Sequence, residues 1–421
     1  MSPSLSYDAV VLGVGMAGLT AATRLAEGGA RVCVLAKGVG STHLAPGTVD
    51  VLGYDRHRVE NPGATLPEFI AARPGHPYAL IGADAIAPAL EWFTDRIESG
   101  PLPAYHYVGT LERNHLLPTA IGGIRPSALV PETMAAGDAR VGKPVCVVGL
   151  RALRDFHASF CAGNLRRAGI ASRAVEVDVE IGRAEANALG LARRFDDKPF
   201  RAAFAARLAQ LLRPGENVGL PAVLGLRDPF GAWSDMQRRL GRAVFEIPTL
   251  PPSAPGIRVY NTLLAALRAA GGRLLLGAEA VDVERDGDRV IAVRARTSGH
   301  DTVFGVGWIV LATGGFASGA IELGSDWRAR ETILGLPLRG MPAPGEPRFV
   351  ADYFGRQPMS EVGIAVDSSL RADGTENVFV AGAALPGSVP WREGSGEGIA
   401  LATGHFVAQA VLEQEGATAT A

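Results

Sequence analysis

Little in this 421-residue chain is available to hold a metal ion or a cluster. Its three cysteines, Cys33, Cys146 and Cys161, are widely spaced and include no C-x-x-C pair, which excludes an iron–sulfur cluster of the usual ligand spacing. Odd in number and set in apolar stretches, they read as buried packing thiols rather than a disulfide framework. The eight histidines form neither an H-E-x-x-H nor an H-x-x-x-H arrangement, so no metal site is expected. Lysine is scarce: Lys37, Lys143 and Lys198 are the only three among 41 basic residues. With 43 acidic residues the formal charge is −2, and no polybasic run occurs, which argues against a nucleic-acid surface. No uninterrupted apolar run reaches about 18 residues, the length of a membrane span. The first strand begins by about residue 8 without a charged-then-apolar leader. The expectation is a cytoplasmic protein with no direct span, held at a membrane only through a partner.

What is abundant is glycine, 53 residues of it, in two signatures at opposite ends of the chain. Near the start, Val10, Val11 and Leu12 predict a buried strand that runs into Gly13, Gly15 and Gly18, followed by a helix over Met16 to Glu27 and a second strand over Arg31 to Leu35. This is a dinucleotide-type phosphate turn in its proper context. Gly13 permits the tight turn, Gly15 lets backbone approach a phosphate, and Gly18 lets the helix pack closely. Free N–H groups at Met16, Ala17 and Gly18 are available to an anion. After the second strand a loop from Lys37 to Asp50, with Gly38, Ser41, Thr42 and Gly47, lies where doubly wound sheets bind ligands.

From about residue 61 the pattern changes to short helical pieces punctuated by Pro and Gly. Periodicity then predicts a strand over Val145 to Leu150, a helix over Leu153 to Ala168, a strand over Ala174 to Ile181 and a helix over Phe200 to Leu212. The proline-dense segment Pro248 to Gly256 reads as a stiff, non-helical connector. Beyond it come a helix over Val259 to Ala270, a strand over Arg273 to Leu276, a meander over Val281 to Arg296, and a buried strand over Trp308 to Ala312 ending in Thr313 and Gly314. In that order these segments resemble the second half of a glutathione-reductase-like flavoprotein. The expected fold is therefore α/β: a Rossmann flavin-binding domain, residues 1–60 plus 250–421, with an inserted mixed α/β cap, 61–249.

Two features of the nucleotide site point in different directions. An acidic residue commonly ends the second strand and holds the adenosine ribose, whereas here Ala36 is followed by Lys37. FMN needs no such acid. The turn itself, however, is built to approach a pyrophosphate, which FMN lacks. The far end favours flavin over nicotinamide. Gly363 to Asp367, Asn377 to Gly382 and Gly394 to Gly404 resemble the closing segments of fumarate-reductase-type flavoproteins. That resemblance implies that the strand ending at Gly382 passes the phosphate chain, and that backbone donors at Gly396, Gly398 and Ile399, opening the last helix, face the pyrimidine edge of the ring. A helix N-terminus there stabilises the negative charge of reduction by roughly 0.3 to 2 kcal/mol.

Further segments narrow the resemblance. Ser41 to Asp50, Val145 to Phe156, Phe245 to Arg258, Thr313 to Gly319 and Ile333 to Leu336 are similar, in collinear order over most of the chain, to the B subunit of the anaerobic glycerol-3-phosphate dehydrogenase. The resemblance implies an electron-transferring flavoprotein with non-covalent FMN, FAD being the alternative. It implies a complex at the inner membrane with a catalytic, FAD-bearing A subunit plus an iron–sulfur C subunit. That assembly oxidises sn-glycerol 3-phosphate to dihydroxyacetone phosphate and passes electrons toward quinone. Oxidation of a substrate alcohol, in which the carbon gives up a hydride and its hydroxyl a proton, needs a base and cations for the phosphate, and His43 and Arg258 are the candidates. Two other readings stay open: a stand-alone FAD-dependent dehydrogenase or reductase of a small anionic substrate, and a structural subunit with an empty nucleotide fold.

Overall fold

The computed structural model describes residues 5–179 and 187–419. Its principal elements run β1 (Leu5–Leu12), α1 (Met16–Glu27), β2 (Val32–Ala36), β3 (Val145–Leu150), α2 (Ala158–Arg167), β4 (Ser172–Val177), β5 (Asn217–Pro221), α3 (Pro229–Leu240), β6 (Val244–Ile247), α4 (Ala254–Ala269), β7 (Arg273–Leu276), β8 (Glu279–Asp286), β9 (Arg289–Arg296), β10 (Asp301–Leu311), β11 (Val378–Val380) and α5 (Gly396–Ala419). They fall into two compact units, 1–40 with 65–93 and 263–421, and 41–64 with 94–262.

The first unit is built on a seven-stranded sheet in the order β7-β2-β1-β10-β9-β8, with β11 also paired to β10. The strands β7, β2, β1, β10 and β11 are mutually parallel, with Val10 opposite Cys33 and Leu12 opposite Leu311, while β8 and β9 are antiparallel. Ala9 to Leu12, Val32 to Leu35 and Ile309 to Leu311 are buried on both faces, which is why these strands are continuous apolar runs rather than alternating ones.

The second unit carries a four-stranded sheet, β4-β3-β5-β6, parallel throughout. An apolar cluster that includes Val147, Phe195, Leu220, Met236 and Phe245 forms its core, with a smaller cluster at Leu117, Val130 and Met134. Two short antiparallel pairs, Tyr107–Gly109 with Leu129–Pro131 and His115–Pro118 with Ile124–Ser127, lie beside it in the chain.

The observed units differ from the expected division in three places: residues 41–60 and 250–262, expected in the flavin-binding domain, fall in the second unit, and 65–93, expected in the cap, fall in the first. Residues 41–64 belong with the second unit because they are tied to it: Asn114 Nδ2 donates to Leu52 O at 2.9 Å and Val59 O at 2.8 Å, and Ser253 N donates to His43 O at 3.0 Å. Residues 65–93 belong with the first, where Trp92 Nε1 donates to Glu27 Oε2 at 3.0 Å. Two local expectations are also corrected. Helix α2 begins at Ala158, not near Leu153, because 151–157 form turns. The connector is not wholly non-helical: Ala254, Pro255 and Gly256 open α4, a position where proline's missing N–H costs nothing. The strand expected through Ile181 is observed as β4, and residues 180 and 181 lie outside the described residues.

Candidate flavin site

The phosphate turn has the geometry its glycines require. Gly13 has φ +108°, and a methyl there would sit 2.3 Å from Ala312 O; at Gly18 it would sit 2.1 Å from Gly13 O. Only a residue without Cβ lets β1, the turn and the end of β10 close up this tightly. Gly15 is the N-cap of α1 and offers no side-chain cap, and no acidic residue occupies the first turn. The N–H groups of Met16, Ala17 and Gly18 therefore open the helix with no capping side chain from Gly15 and no acidic residue in its first turn.

The last helix is packed against this same turn. A methyl on Gly404 of α5 would lie 2.5 Å from Ala17 O, and one on Gly382 would lie 3.0 Å from Ala17 Cβ. Gly382 N donates to Thr403 Oγ1 at 2.9 Å, and Thr403 Oγ1 donates to Ile399 O at 2.6 Å. Thr313, directly after β10, carries a buried hydroxyl with no partner among the described residues. Residues 13–18, 313–314, 382 and 396–404, separated by almost the whole chain, thus converge within one unit. Two helix N-termini and an orphan hydroxyl make donor-rich surroundings of the kind an anionic, partly aromatic cofactor requires. The residues fit a flavin.

The second strand ends differently. Lys37 Nζ lies 2.7 Å from Glu279 Oε1, and Glu279 Oε2 is 3.4 Å from Arg296. A carboxylate does stand beside the end of β2, supplied by β8 rather than by β2 itself, and two cations already occupy it. Gly38 is exposed with open space around it, so nothing in its surroundings demands a glycine.

The remaining predicted residues lie in the second unit. Ser41 is exposed and opens a short 3₁₀ turn, Ser41–Leu44. A methyl on Gly47, at φ +83°, would sit 2.4 Å from Pro255 Cβ, and one on Gly256 would sit 2.2 Å from Thr42 O. The Ser41–Asp50 loop and the proline-dense segment are therefore one packed feature. Within it the Thr42 hydroxyl and the His43 Nε2 are buried without partners among the described residues. The His43 ring stands edge-on to Tyr260 at 4.3 Å, and burial holds its pKa below the ordinary 6.5.

Arg258, the other expected catalytic residue, is engaged by groups of the protein itself. Its side chain is fully buried, with Nη1 2.7 Å from Glu246 Oε2, Nη2 2.9 Å from Glu246 Oε1, and Nε donating to Gly225 O at 3.0 Å. Glu246 also accepts from Thr133 Oγ1 at 2.8 Å and Leu224 N at 2.9 Å. Burial alone favours the neutral guanidine, but the Glu246 carboxylate more than offsets this and keeps the charge. This is a satisfied ion pair that ties α4 to β6.

One cluster escaped the sequence reading. His76 Nδ1 accepts from Tyr78 N, so Nε2 carries the proton that it directs to Glu393 Oε2 at 3.2 Å. Glu393 also accepts from Val389 N at 2.9 Å and Ser395 Oγ at 2.8 Å. Burial pulls this carboxyl upward, yet the bonds from His76, Val389 and Ser395 outweigh it and hold it below its ordinary value. The cluster anchors the turn immediately before α5. Its members are 317 residues apart, and no local spacing could reveal it.

A parallel sheet closed by a glycine turn at one end of the chain and a helix N-terminus at the other defines a flavin-dependent oxidoreductase fold, and the family model described as "FAD binding domain" matches residues 8–399. The chain is 30% identical to the B subunit of the anaerobic glycerol-3-phosphate dehydrogenase of Pectobacterium carotovorum, over 97% of this chain and 99% of that protein. It is 32% identical to the probable B subunit of the same enzyme from Halobacterium salinarum, over the same shares. A solved structure of E. coli quinol fumarate reductase aligns with 98% of this chain and 71% of that one, at 10% identity and a TM-score of 0.45. The chain belongs to the family of anaerobic glycerol-3-phosphate dehydrogenase B subunits, within the FAD-binding-domain proteins. Among the described residues no helix is long and apolar enough to cross a membrane, and no group of His, Cys, Asp and Glu could hold a metal ion.

Proposed function

We propose that this chain is the electron-relaying flavoprotein of a membrane-associated sn-glycerol-3-phosphate:quinone dehydrogenase, assembled with a catalytic FAD-bearing partner (the A subunit) plus an iron–sulfur partner (the C subunit), and located peripherally on the cytoplasmic side of the inner membrane. The observation that carries the reading is the convergence of Gly13–Gly18 with Gly382 and α5 through Ala17. The names of the curated relatives supply the substrate and the existence of an assembly. When bound, the flavin supplies hydride acceptance and the onward release of single electrons. The chain's residues do the rest. Met16, Ala17 and Gly18 N–H groups would hold phosphate, Thr313 and Gly314 would border the tail, and Gly396 and Gly398 would direct the α5 N-terminus at the pyrimidine edge, whereas Ile399 N already donates to Ser395 O at 2.9 Å.

FMN is the proposed cofactor. Support comes from the end of β2, where Ala36 and Lys37 stand in place of a ribose-binding acid and the nearby Glu279 is occupied by Lys37 and Arg296. Release of the cofactor by heat and weighing it by mass spectrometry tests this, and recovery of an AMP-containing flavin overturns it.

His43 is the proposed base for any substrate oxidised on this chain. Among the described residues its Nε2 has no partner, and burial lowers its pKa, which favours the neutral imidazole that can take a hydroxyl proton. Mixing isolated, flavin-loaded protein with glycerol 3-phosphate in a stopped-flow spectrometer separates the readings. Slow or absent bleaching in isolation, with fast bleaching in the assembled complex, supports the relay; fast bleaching of the isolated chain assigns it the dehydrogenase step.

A further inference from the structure

The residue before α5 aims its side chain away from the helix it opens. Ser395 is the N-cap of α5: its carbonyl accepts the first intrahelical bond, from Ile399 N at 2.9 Å. An N-cap serine ordinarily turns its hydroxyl toward the helix, where the oxygen accepts from the N–H of the second or third residue, in this chain Glu397 or Gly398. Here the hydroxyl donates to Glu393 Oε2 at 2.8 Å instead. Ser395 is fully buried, so solvent does not compete for it.

Glu393 is built to hold that hydroxyl as a donor. Its Oε1 accepts from Val389 N at 2.9 Å, and its Oε2 accepts from His76 Nε2 at 3.2 Å as well as from Ser395. All three partners are donors, and an ionised carboxylate offers only acceptors. The tautomer of His76 is fixed by Tyr78 N, which donates to Nδ1 at 3.1 Å. The His76 ring is fully buried and stands edge-on to Phe69 with centroids 5.0 Å apart. The backbone is equally set. A methyl on Gly387, at φ +84°, would lie 2.3 Å from Gly75 O, so the segment leading to Val389 packs on the residue before His76.

This arrangement forgoes a cap where a cap is most needed. Gly396 and Gly398 both fall in the first turn of α5, and glycine is among the weakest helix formers. A helix start selected for stability alone would turn the serine inward. What the outward serine spares is the N–H of Gly398, which an inward hydroxyl would engage. We propose that Glu393 is a positioning residue of the flavin site: it draws the Ser395 hydroxyl away from α5, so that the N–H groups of Gly396 and Gly398 are kept for the pyrimidine edge of the cofactor, and His76 holds Glu393 in place to do so. The inference rests on the flavin reading above and deepens it. Glu393 acts through Ser395 and needs no contact with the ring.

The test is flavin affinity of the full-length chain, stripped of flavin and reloaded with FMN or, separately, with FAD. Binding is read from quenching of flavin fluorescence, and folding from the melting temperature of the stripped protein. Wild type is compared with Glu393→Ala, Ser395→Ala and the double variant. Glu393→Ala releases the hydroxyl to cap α5 in competition with the cofactor, and affinity is expected to fall about fivefold, the usual worth of an N-cap bond. With Ser395→Ala already in place there is no hydroxyl to release, so Glu393→Ala is then expected to change affinity by no more than about twofold. A carboxylate that merely supports the turn costs the same in both backgrounds, and that result overturns the proposal, as does Glu393→Ala binding flavin like wild type. Where Glu393→Ala does not fold, Ser395→Asn serves, because its carbonyl oxygen caps α5 while its amide still meets Glu393. Affinity should then fall with no loss of melting temperature; affinity like wild type, or a fall that only accompanies a lower melting temperature, overturns the proposal. A wild-type chain that takes up neither flavin overturns the flavin reading itself, and this proposal with it.

Discussion

Glu246 and Arg258 form a two-pronged ion pair with neither side chain exposed; Thr133 Oγ1 and Leu224 N donate to the carboxylate, and Gly225 O accepts from Arg258 Nε. Removing one partner strands a buried charge, which typically costs about 3–5 kcal/mol. Arg258→Ala is therefore expected to lower the urea midpoint of the protein steeply. A variant that unfolds like wild type but has lost activity would restore Arg258 to a substrate-binding role.

Substitution at the phosphate turn is expected to empty the site. Gly13→Ala places a methyl 2.3 Å from Ala312 O at a backbone angle costing roughly 1–3 kcal/mol for a side chain. Bound flavin per chain, read from the visible spectrum of the purified protein, should fall at least tenfold. Full occupancy in this variant would mean that the turn does not carry the phosphate.

His43→Asn should leave flavin content intact. If a substrate hydroxyl is deprotonated here, the turnover of the assembled complex drops by about 10²–10⁴ with KM little changed, the usual contribution of a general base. An unchanged rate assigns the proton transfer to a partner.

Acid should weaken the first unit through His405. This residue lies on α5 beside Trp92, and burial, reinforced by Arg24 and opposed by Glu27, lowers its pKa from 6.5 to about 4. A histidine held neutral in the fold but protonated when unfolded contributes stability that is fully present above pH 6.5. That contribution is lost as pH falls from 6.5 toward 4. Melting temperatures between pH 7.5 and 4.5 should fall less steeply in His405→Asn than in wild type. Parallel curves would rule this histidine out as a source of acid sensitivity.

The three thiols should be inert in the folded protein. Burial pushes Cys33, Cys146 and Cys161 each up to about 11. A chromogenic disulfide reagent at pH 8 is expected to find no fast thiol natively and all three in denaturant. A rapidly reacting native cysteine contradicts the buried placement.

Most of the first unit could be read from local pattern. The strand, glycine turn and helix at residues 5–27 require particular residue types within a dozen positions, as do the apolar run before Thr313 and the turn between β8 and β9, so spacing alone discloses them. The proline-dense segment was legible as an unusual feature but not as the start of α4, because proline in a first helical turn and proline in a rigid loop look alike in one dimension.

Chain chemistry alone was enough to commit this protein to a parallel α/β nucleotide fold and to mark the glycines around which its first turn closes. Which charges meet was settled only in three dimensions. Arg258 became half of a buried pair because Glu246, twelve residues earlier, is carried beside it by a neighbouring strand. Glu393 found His76 across 317 positions, and the rings of Tyr353 and Phe354 were turned outward by a hydrogen-bonded turn. Periodicity reports only which face of an element is apolar; partners of buried charge and the fate of unburied aromatics depend on packing between elements distant in the chain.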